Sequence, residues 1–331
     1  MKQYSIFIGI TILLLGGVYF FLHSRDTEQV TGYAPAAGTE ASFEQGFLGR
    51  GLLTNTEKSS IDQSLIFSGG PGKDGIPSID EPAFTSVAGA DVLPDTLGIL
   101  VEFDGEKRYY PYSILVWHEI VNDTVGDTHF AATFCPLCGS GIVFNRDLGD
   151  TIVTFGVSGM LYESNLLMYD RGGESLWSQA RGEAVVGERT GTKLEILPMQ
   201  LLSFAEVQAH HSEARVLSTD TGHGRNYGRN PYSGYEETEG TYFPISIEDN
   251  RFFGKTIMYV IPRPNASIVF AMEALKEGST STFEHGGKTY TAKKENSAIV
   301  VTEDGFPVPG YYEMWFSWVQ HHQDNGVVWK L

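Results

Sequence analysis

From Ile79 onward the chain is cut into short runs rich in β-branched and aromatic residues, separated by Gly, Asn and Asp, and this punctuation limits what it can fold into. Runs of this kind at residues 98–103, 129–134, 142–144, 151–155 and 258–261 predict strands. Apolar residues recur at helical spacing only in 111–121, 199–211 and 311–322. The pattern predicts an α+β fold, mainly antiparallel β with a few short helices, with residues 61–331 forming one continuous domain. The aromatic run from Tyr311 to Trp318 then serves as core packing of a C-terminal helix, and the pairs His210-His211 and His321-His322 fall at helix ends or on the surface.

Residues 5–22 read SIFIGITILLLGGVYFFL, an uncharged apolar stretch as long as a helix needs to cross the hydrocarbon core of a bilayer. Lys2 precedes it, while Arg25 is offset by Asp26 and Glu28, so the positive-inside bias places residues 1–4 in the cytoplasm and the bulk of the chain outside. The small-residue site Ala34-Pro35-Ala36 lies far beyond the apolar core, which favours an uncleaved signal-anchor over a cleaved leader. The expectation is one N-terminal transmembrane helix, a tether over 23–60 with a short helix near 43–53, and a membrane-anchored extracytoplasmic domain, periplasmic or extracellular.

A net charge of −18, with only 23 basic residues, excludes a nucleic-acid surface, which needs a concentrated Lys/Arg footprint. The run Gly69-Gly70-Pro71-Gly72-Lys73-Asp74 imitates a phosphate loop, but Asp74 stands where Ser or Thr should follow the lysine, and the run reads as a turn.

The only two cysteines lie in Cys135-Pro136-Leu137-Cys138. A disulfide closing so small a ring removes little loop entropy, about 2 kcal/mol against nearly 5 for a loop of about 100 residues, so a purely structural staple explains the pair poorly. Two chemical readings stand beside it. As a redox couple, Cys135 attacks as thiolate and Cys138 resolves, with a small-molecule or protein thiol as partner. This makes the chain a candidate thiol oxidoreductase that needs no cofactor. As half of a metal site, Cys-Pro-x-Cys-Gly resembles the knuckle of zinc ribbons, and zinc or copper would be completed by histidines, with His118, His129 and His223 as candidates. A third class is a binding or scaffold module in which the pair is structural. The residues after Cys138, Gly139-Ser140-Gly141-Ile142, predict a glycine turn entering a strand, unlike the helix that follows a thioredoxin CxxC.

Trp117-His118-Glu119-Ile120-Val121-Asn122 begins like the HExxH of zinc proteases but has Asn122 at the second histidine, so that assignment fails. His118 and Arg171 remain candidates to stabilise a thiolate, with Glu119 or Asp123 orienting His118. Asp170, Trp177 and Gln179 belong to a polar cluster that reads either as the lining of a pocket or as a turn network.

The order of these motifs is distinctive. Ile79-Asp80-Glu81-Pro82, Tyr110-Pro111 leading to Trp117-His118-Glu119, Cys135-Pro136-Leu137-Cys138-Gly139-Ser140-Gly141, Phe155-Gly156-Val157-Ser158-Gly159, Tyr169-Asp170-Arg171 and Leu176-Trp177-Ser178-Gln179 together resemble the domain of unknown function 3179 family over roughly residues 60–331. The resemblance implies a domain and no activity. Some relatives are described as selenoproteins and others look to carry threonine at the second cysteine position, which suits a redox centre better than a two-sulfur zinc knuckle.

Overall fold

The computed structural model describes residues 51–331. Short extended runs rich in β-branched and aromatic residues form four β-sheets, and three short helices, α1 (Tyr112–His118), α2 (Phe204–His210) and α3 (Trp315–His321), accompany them among the described residues. No described helix is long and apolar enough to cross a membrane. The expected anchor at 5–22 lies outside the described residues, as does most of the helix expected near 43–53.

The central sheet has seven strands in the order Gly326–Val328, Ala266–Ala271, Ile257–Arg263, Tyr311–Met314, Ser140–Asn145, Thr128–Cys135 and Ile120–Val125. It is antiparallel except for the Gly326–Val328 edge, which runs parallel to Ala266–Ala271. A five-stranded antiparallel sheet carries the strands Phe155–Tyr162, Asn165–Asp170 and Leu176–Ser178, flanked by Ile66–Ser68 and Glu183–Val186. A second five-stranded sheet contains Leu97–Phe103 and Glu106–Pro111, and a four-stranded meander spans Thr280–His285 to Phe306–Val308. One large core runs between them, with Phe130, Phe144, Phe155, Trp177, Tyr312 and Trp315 fully buried.

All three predicted helices are shorter than their periodic runs, because each run includes strand residues. Residues 199–211 divide into the strand Gln200–Ser203 and α2, and 311–322 into the strand Tyr311–Met314 and α3. Residues 111–121 yield α1, a break at Glu119 and the start of Ile120–Val125. The residues before α2 and α3, Ser203 and Met314, are extended, and Ser203 closes α2 with a capping box to Glu206. The strand expected at 151–155 starts only at Phe155. The aromatic run is buried as expected, but Tyr311 and Tyr312 lie on a strand. Residues 52–60, assigned to the tether by sequence, lie on the first five-stranded sheet: Leu52 is buried and Ser60 N–H donates to Val185 O at 2.9 Å.

Between Leu217 and Ile257 the chain forms no strand and only one 3-10 turn, Tyr235–Glu237. So long an irregular connection inside a folded domain is commonly a functional loop. It covers two neighbouring places, described next.

Candidate functional site

Cys135 ends the strand Thr128–Cys135 and Ser140 opens the next, with Cys135 and Ser140 in register. The intervening turn is closed by Cys138 N–H donating to Cys135 O at 3.1 Å and bends through Gly139 at φ 54°. Glycine is required here twice over: the left-handed backbone disfavours a side chain, and a Cβ at Gly139 would crowd Ile257 and Met314 at 3.1 Å. The strand after the turn is the one predicted.

Both cysteines are free thiols, 2% and 0% exposed. Cys138 Sγ donates to Ser164 O at 3.2 Å, while the N–H groups of Leu166 and Cys138 point at the Cys135 sulfur. Burial pushes the Cys135 thiol well up, and the neighbouring Cys138 adds to the rise, outweighing those two amides. Gln179 braces the turn with every polar atom it has. Its carbonyl accepts from Ser140 Oγ at 2.6 Å and Asn165 Nδ2 at 3.0 Å; its amide donates to Thr133 Oγ1 and Ser140 O, both at 3.0 Å. The Tyr311–Met314 strand seals the turn from another side, through Met314 N–H to Cys138 O at 2.8 Å.

Three non-glycine residues with positive φ surround the pair. Glu163 and Ser164, at 50° and 66°, form the two-residue turn of the Phe155–Tyr162 and Asn165–Asp170 hairpin, where Asn-Gly would be cheaper. Ser246 holds this turn by donating to the Glu163 carboxylate from its N–H at 2.9 Å and its Oγ at 2.5 Å. Glu119, at 59°, ends α1 with its N–H bonded to Leu115 O. Its carbonyl accepts from Phe134 N–H at 2.8 Å, so it faces the residue before Cys135. Its buried carboxyl is raised well above the usual range by burial and by Cys135. Over the thiols sits Tyr235 of the long connection, 1% exposed, its ring under Lys255 Nζ at 3.6 Å and its hydroxyl without a hydrogen-bond partner. Lys255 Nζ also fastens the connection by donating to Tyr235 O at 2.9 Å and Thr238 O at 3.0 Å.

His118 and Arg171, expected beside the thiols, form their hydrogen bonds and ion pairs elsewhere, around an open cleft of about 520 Å³. Arg171 is fixed between two carboxylates, to Asp74 at 3.0 Å and Asp80 at 3.2 Å, and donates to Ser78 Oγ at 2.9 Å and Tyr169 OH at 2.7 Å. His118 Nδ1 lies 2.7 Å from Pro77 O, a pure acceptor, so Nδ1 carries the proton and Nε2 accepts from Tyr227 OH at 2.7 Å. Burial pulls His118 down to about 4, so it is neutral at pH 7. Tyr227 in turn meets Thr221 Oγ1 at 2.5 Å, and Thr221 lines the cleft with His223, Asp220 and Glu81.

The expected orienting residues also have other partners. Asp123 accepts from Tyr110 OH at 2.6 Å and pairs with Arg108. Asp170 accepts from Gly173 N–H, Ser175 N–H and Trp177 Nε1, the last at 2.9 Å, and builds the turn network that was one of its two readings. Of the predicted site residues, the structure therefore brings Cys135, Cys138, Glu119 and Gln179 together, and leaves His118, Arg171, Asp123, Asp170 and Trp177 in other settings. The sequence reading missed Ser164, Leu166 and Tyr235 at the thiols and Asp74, Thr221 and Tyr227 at the cleft. A Gly-rich stretch between strong strand signals, 222–240, was the available pointer to the last of these.

Among the described residues no group of three or more His, Cys, Asp and Glu side chains is placed to hold a metal ion. His129 meets Thr124 Oγ1 at 3.0 Å, and the ring of the buried His118 lies 5.5 Å, centroid to centroid, from that of His223 at the cleft. The thiols thus lack the histidine pair that the zinc or copper reading calls for.

The fold and site define a predominantly antiparallel β protein with a sealed thiol pair on a strand–turn–strand unit. Residues 73–306 match the family described as Protein of unknown function (DUF3179), and the chain belongs to that family. The match covers the cysteine turn, Glu119 and the cleft up to Asp220 and His223, and stops before the Tyr311–Met314 strand that seals the turn. No curated protein shows significant similarity to the chain, and neither does any solved structure.

Proposed function

We propose that this domain is a thiol–disulfide redox module, held on the extracytoplasmic side of a membrane by residues 5–22, in which Cys135 and Cys138 exchange with the disulfide of a partner. The observation that supports it is the convergence on the two thiols of three strained backbone positions, Glu119, Glu163 and Ser164, together with a fully bonded Gln179. Strain of about 1–3 kcal/mol per residue persists only where surrounding contacts enforce it, and it gathers at working sites. A cysteine pair used only as filler would not need it.

The exchange balances as follows. Cys135 loses its proton and attacks one sulfur of the partner disulfide, releasing the other partner sulfur as a thiolate. Cys138 then loses its proton and attacks Cys135 in the mixed disulfide, leaving a Cys135–Cys138 disulfide and a second partner thiolate. Two electrons pass to the partner, and the two protons end on its sulfurs. The Leu166 and Cys138 amides that point at Cys135 favour it as the attacking thiolate. Burial keeps Cys135 protonated and slow at rest, so exchange follows movement of the Tyr235 connection.

Equilibration of the full chain with buffers of reduced and oxidised glutathione, followed by denaturing alkylation and mass measurement, tests the reading. Both alkylation sites should disappear and return together as the buffer is changed. A pair that stays reduced in every oxidising buffer overturns it.

A further inference from the structure

We infer that forming the Cys135–Cys138 disulfide unlatches the long connection above the pair, through the Glu163–Ser164 turn, and so opens the oxidised pair to a reducing thiol. This conformational step rests on the redox reading of the thiol pair.

The latch starts at sulfur. Cys138 Sγ donates to Ser164 O at 3.2 Å, and that carbonyl accepts no other hydrogen bond among the described residues. Forming the disulfide takes the proton from each thiol and passes two electrons to the partner disulfide, which leaves as two thiols. The Cys138 sulfur then has no proton to donate. Ser164 is 0% exposed, so its carbonyl is left buried and unsatisfied, which is costly.

The turn that carries this carbonyl is strained. Glu163 and Ser164, at φ 50° and 66°, fill both left-handed positions of the hairpin loop. Such backbone persists where surrounding contacts enforce it, and the Cys138 thiol supplies one of them. Without that bond, rotating the Ser164 peptide toward solvent relieves the strain and the unsatisfied carbonyl together.

The same turn holds the connection. The Glu163 carboxylate, in a residue 4% exposed, accepts from Ser246 N–H at 2.9 Å and Ser246 Oγ at 2.5 Å. Ser246 belongs to the connection that carries Tyr235 over the thiols. Gln320 of α3 also holds this segment, accepting from Ser246 N–H at 3.0 Å and Ile247 N–H at 2.9 Å, so loss of the turn loosens the segment without detaching it.

The experiment follows amide hydrogen exchange at Ser246 in the full chain, reduced and after equilibration with oxidised glutathione, with the redox state read by mass. Oxidation should speed this exchange about 5-fold, as loss of one neutral hydrogen bond would, and leave Lys288–Glu295 of the four-stranded meander unchanged. Cys138→Ala, which lacks the donor, should show the faster exchange while reduced; Cys138→Ser, which keeps a hydroxyl donor, should stay closer to wild type. Equal exchange in the reduced and oxidised wild-type chains overturns the inference and leaves the redox reading standing. A chain that stays reduced overturns both. Exchange as fast in Cys138→Ser as in Cys138→Ala assigns the loosening to packing and overturns the link through Ser164 O. If Cys138→Ala fails to fold, the wild-type comparison decides.

Discussion

The thiol pocket and the open cleft grow from two consecutive residues, His118 and Glu119, yet they are opposite kinds of place. His118 reaches Pro77 and Tyr227 at the cleft, where Arg171 lies between exposed carboxylates and solvent screens every charge. Glu119 turns the other way toward two thiols that are shut off from water. The positive φ at Glu119 makes the difference, because it ends α1 and directs the next residues into the Ile120–Val125 strand. One region holds its charges by pairing them. The other braces the cysteine turn with the fully bonded Gln179 and leaves the Tyr235 hydroxyl and Ser164 Oγ without a hydrogen-bond partner.

The contrast is most exposed to a break at Gln179. Gln179→Ala strips partners from Ser140, Asn165 and Thr133 at once and should cost about 4 kcal/mol in denaturant unfolding, since each buried group left unsatisfied costs roughly 1–3 kcal/mol. A loss below about 1 kcal/mol would mean that the pocket is loosely built after all.

Lys255→Ala should loosen the connection over the thiols without touching them. Native-state alkylation of the cysteines is expected to rise about 10-fold, as a local opening made easier by about 1.4 kcal/mol would produce. Unchanged alkylation would show that another segment shields the pair.

Arg171→Ala belongs to the cleft alone. Its ion pairs are about one-third exposed, so unfolding should move by roughly 1 kcal/mol, with cysteine alkylation unaltered. A change in alkylation as large as that of Lys255→Ala would join the two regions into one site.

The last pair of effects is read in pH. His118 is depressed from 6.5 to about 4, so its contribution to stability is complete above 6.5 and is lost as pH falls toward 4. Glu313, fully buried in the Tyr311–Met314 strand, is raised from 4.5 to about 8; its contribution is complete below 4.5 and is lost as pH rises through 8. Glu313→Gln should reduce the alkaline slope of a stability-versus-pH curve, which Glu119 shares, and leave the acid slope, which His118 shares with His211, His321 and His322, unchanged. Retention of the alkaline slope would assign it to another group.

Much of the architecture was legible along the chain. The β-branched and aromatic runs that mark Leu97–Phe103, Thr128–Cys135, Ser140–Asn145 and Ile257–Arg263 are local, so the strands were found within a residue or two. The helices were overextended for a different reason. Tyr311–Met314 and Gln200–Ser203 bury residues on both faces or sit at a sheet edge beside a helix, and without strict alternation their apolar residues fit a helical period equally well.

By itself the sequence determined the strand-rich class, the family and the glycine turn around Cys135 and Cys138, because each depends on residues close together or on composition. Only the tertiary structure decided which side chains meet the thiols. His118 and Arg171 were the chemically natural partners, but their directions are set by a helix end and by Asp74 and Asp80, residues whose positions depend on long-range packing. The burial that raises Cys135, and the placing of Glu119, Ser164 and Tyr235 around the pair, arise when separate sheets and a long connection close on one another, and no local pattern records that event.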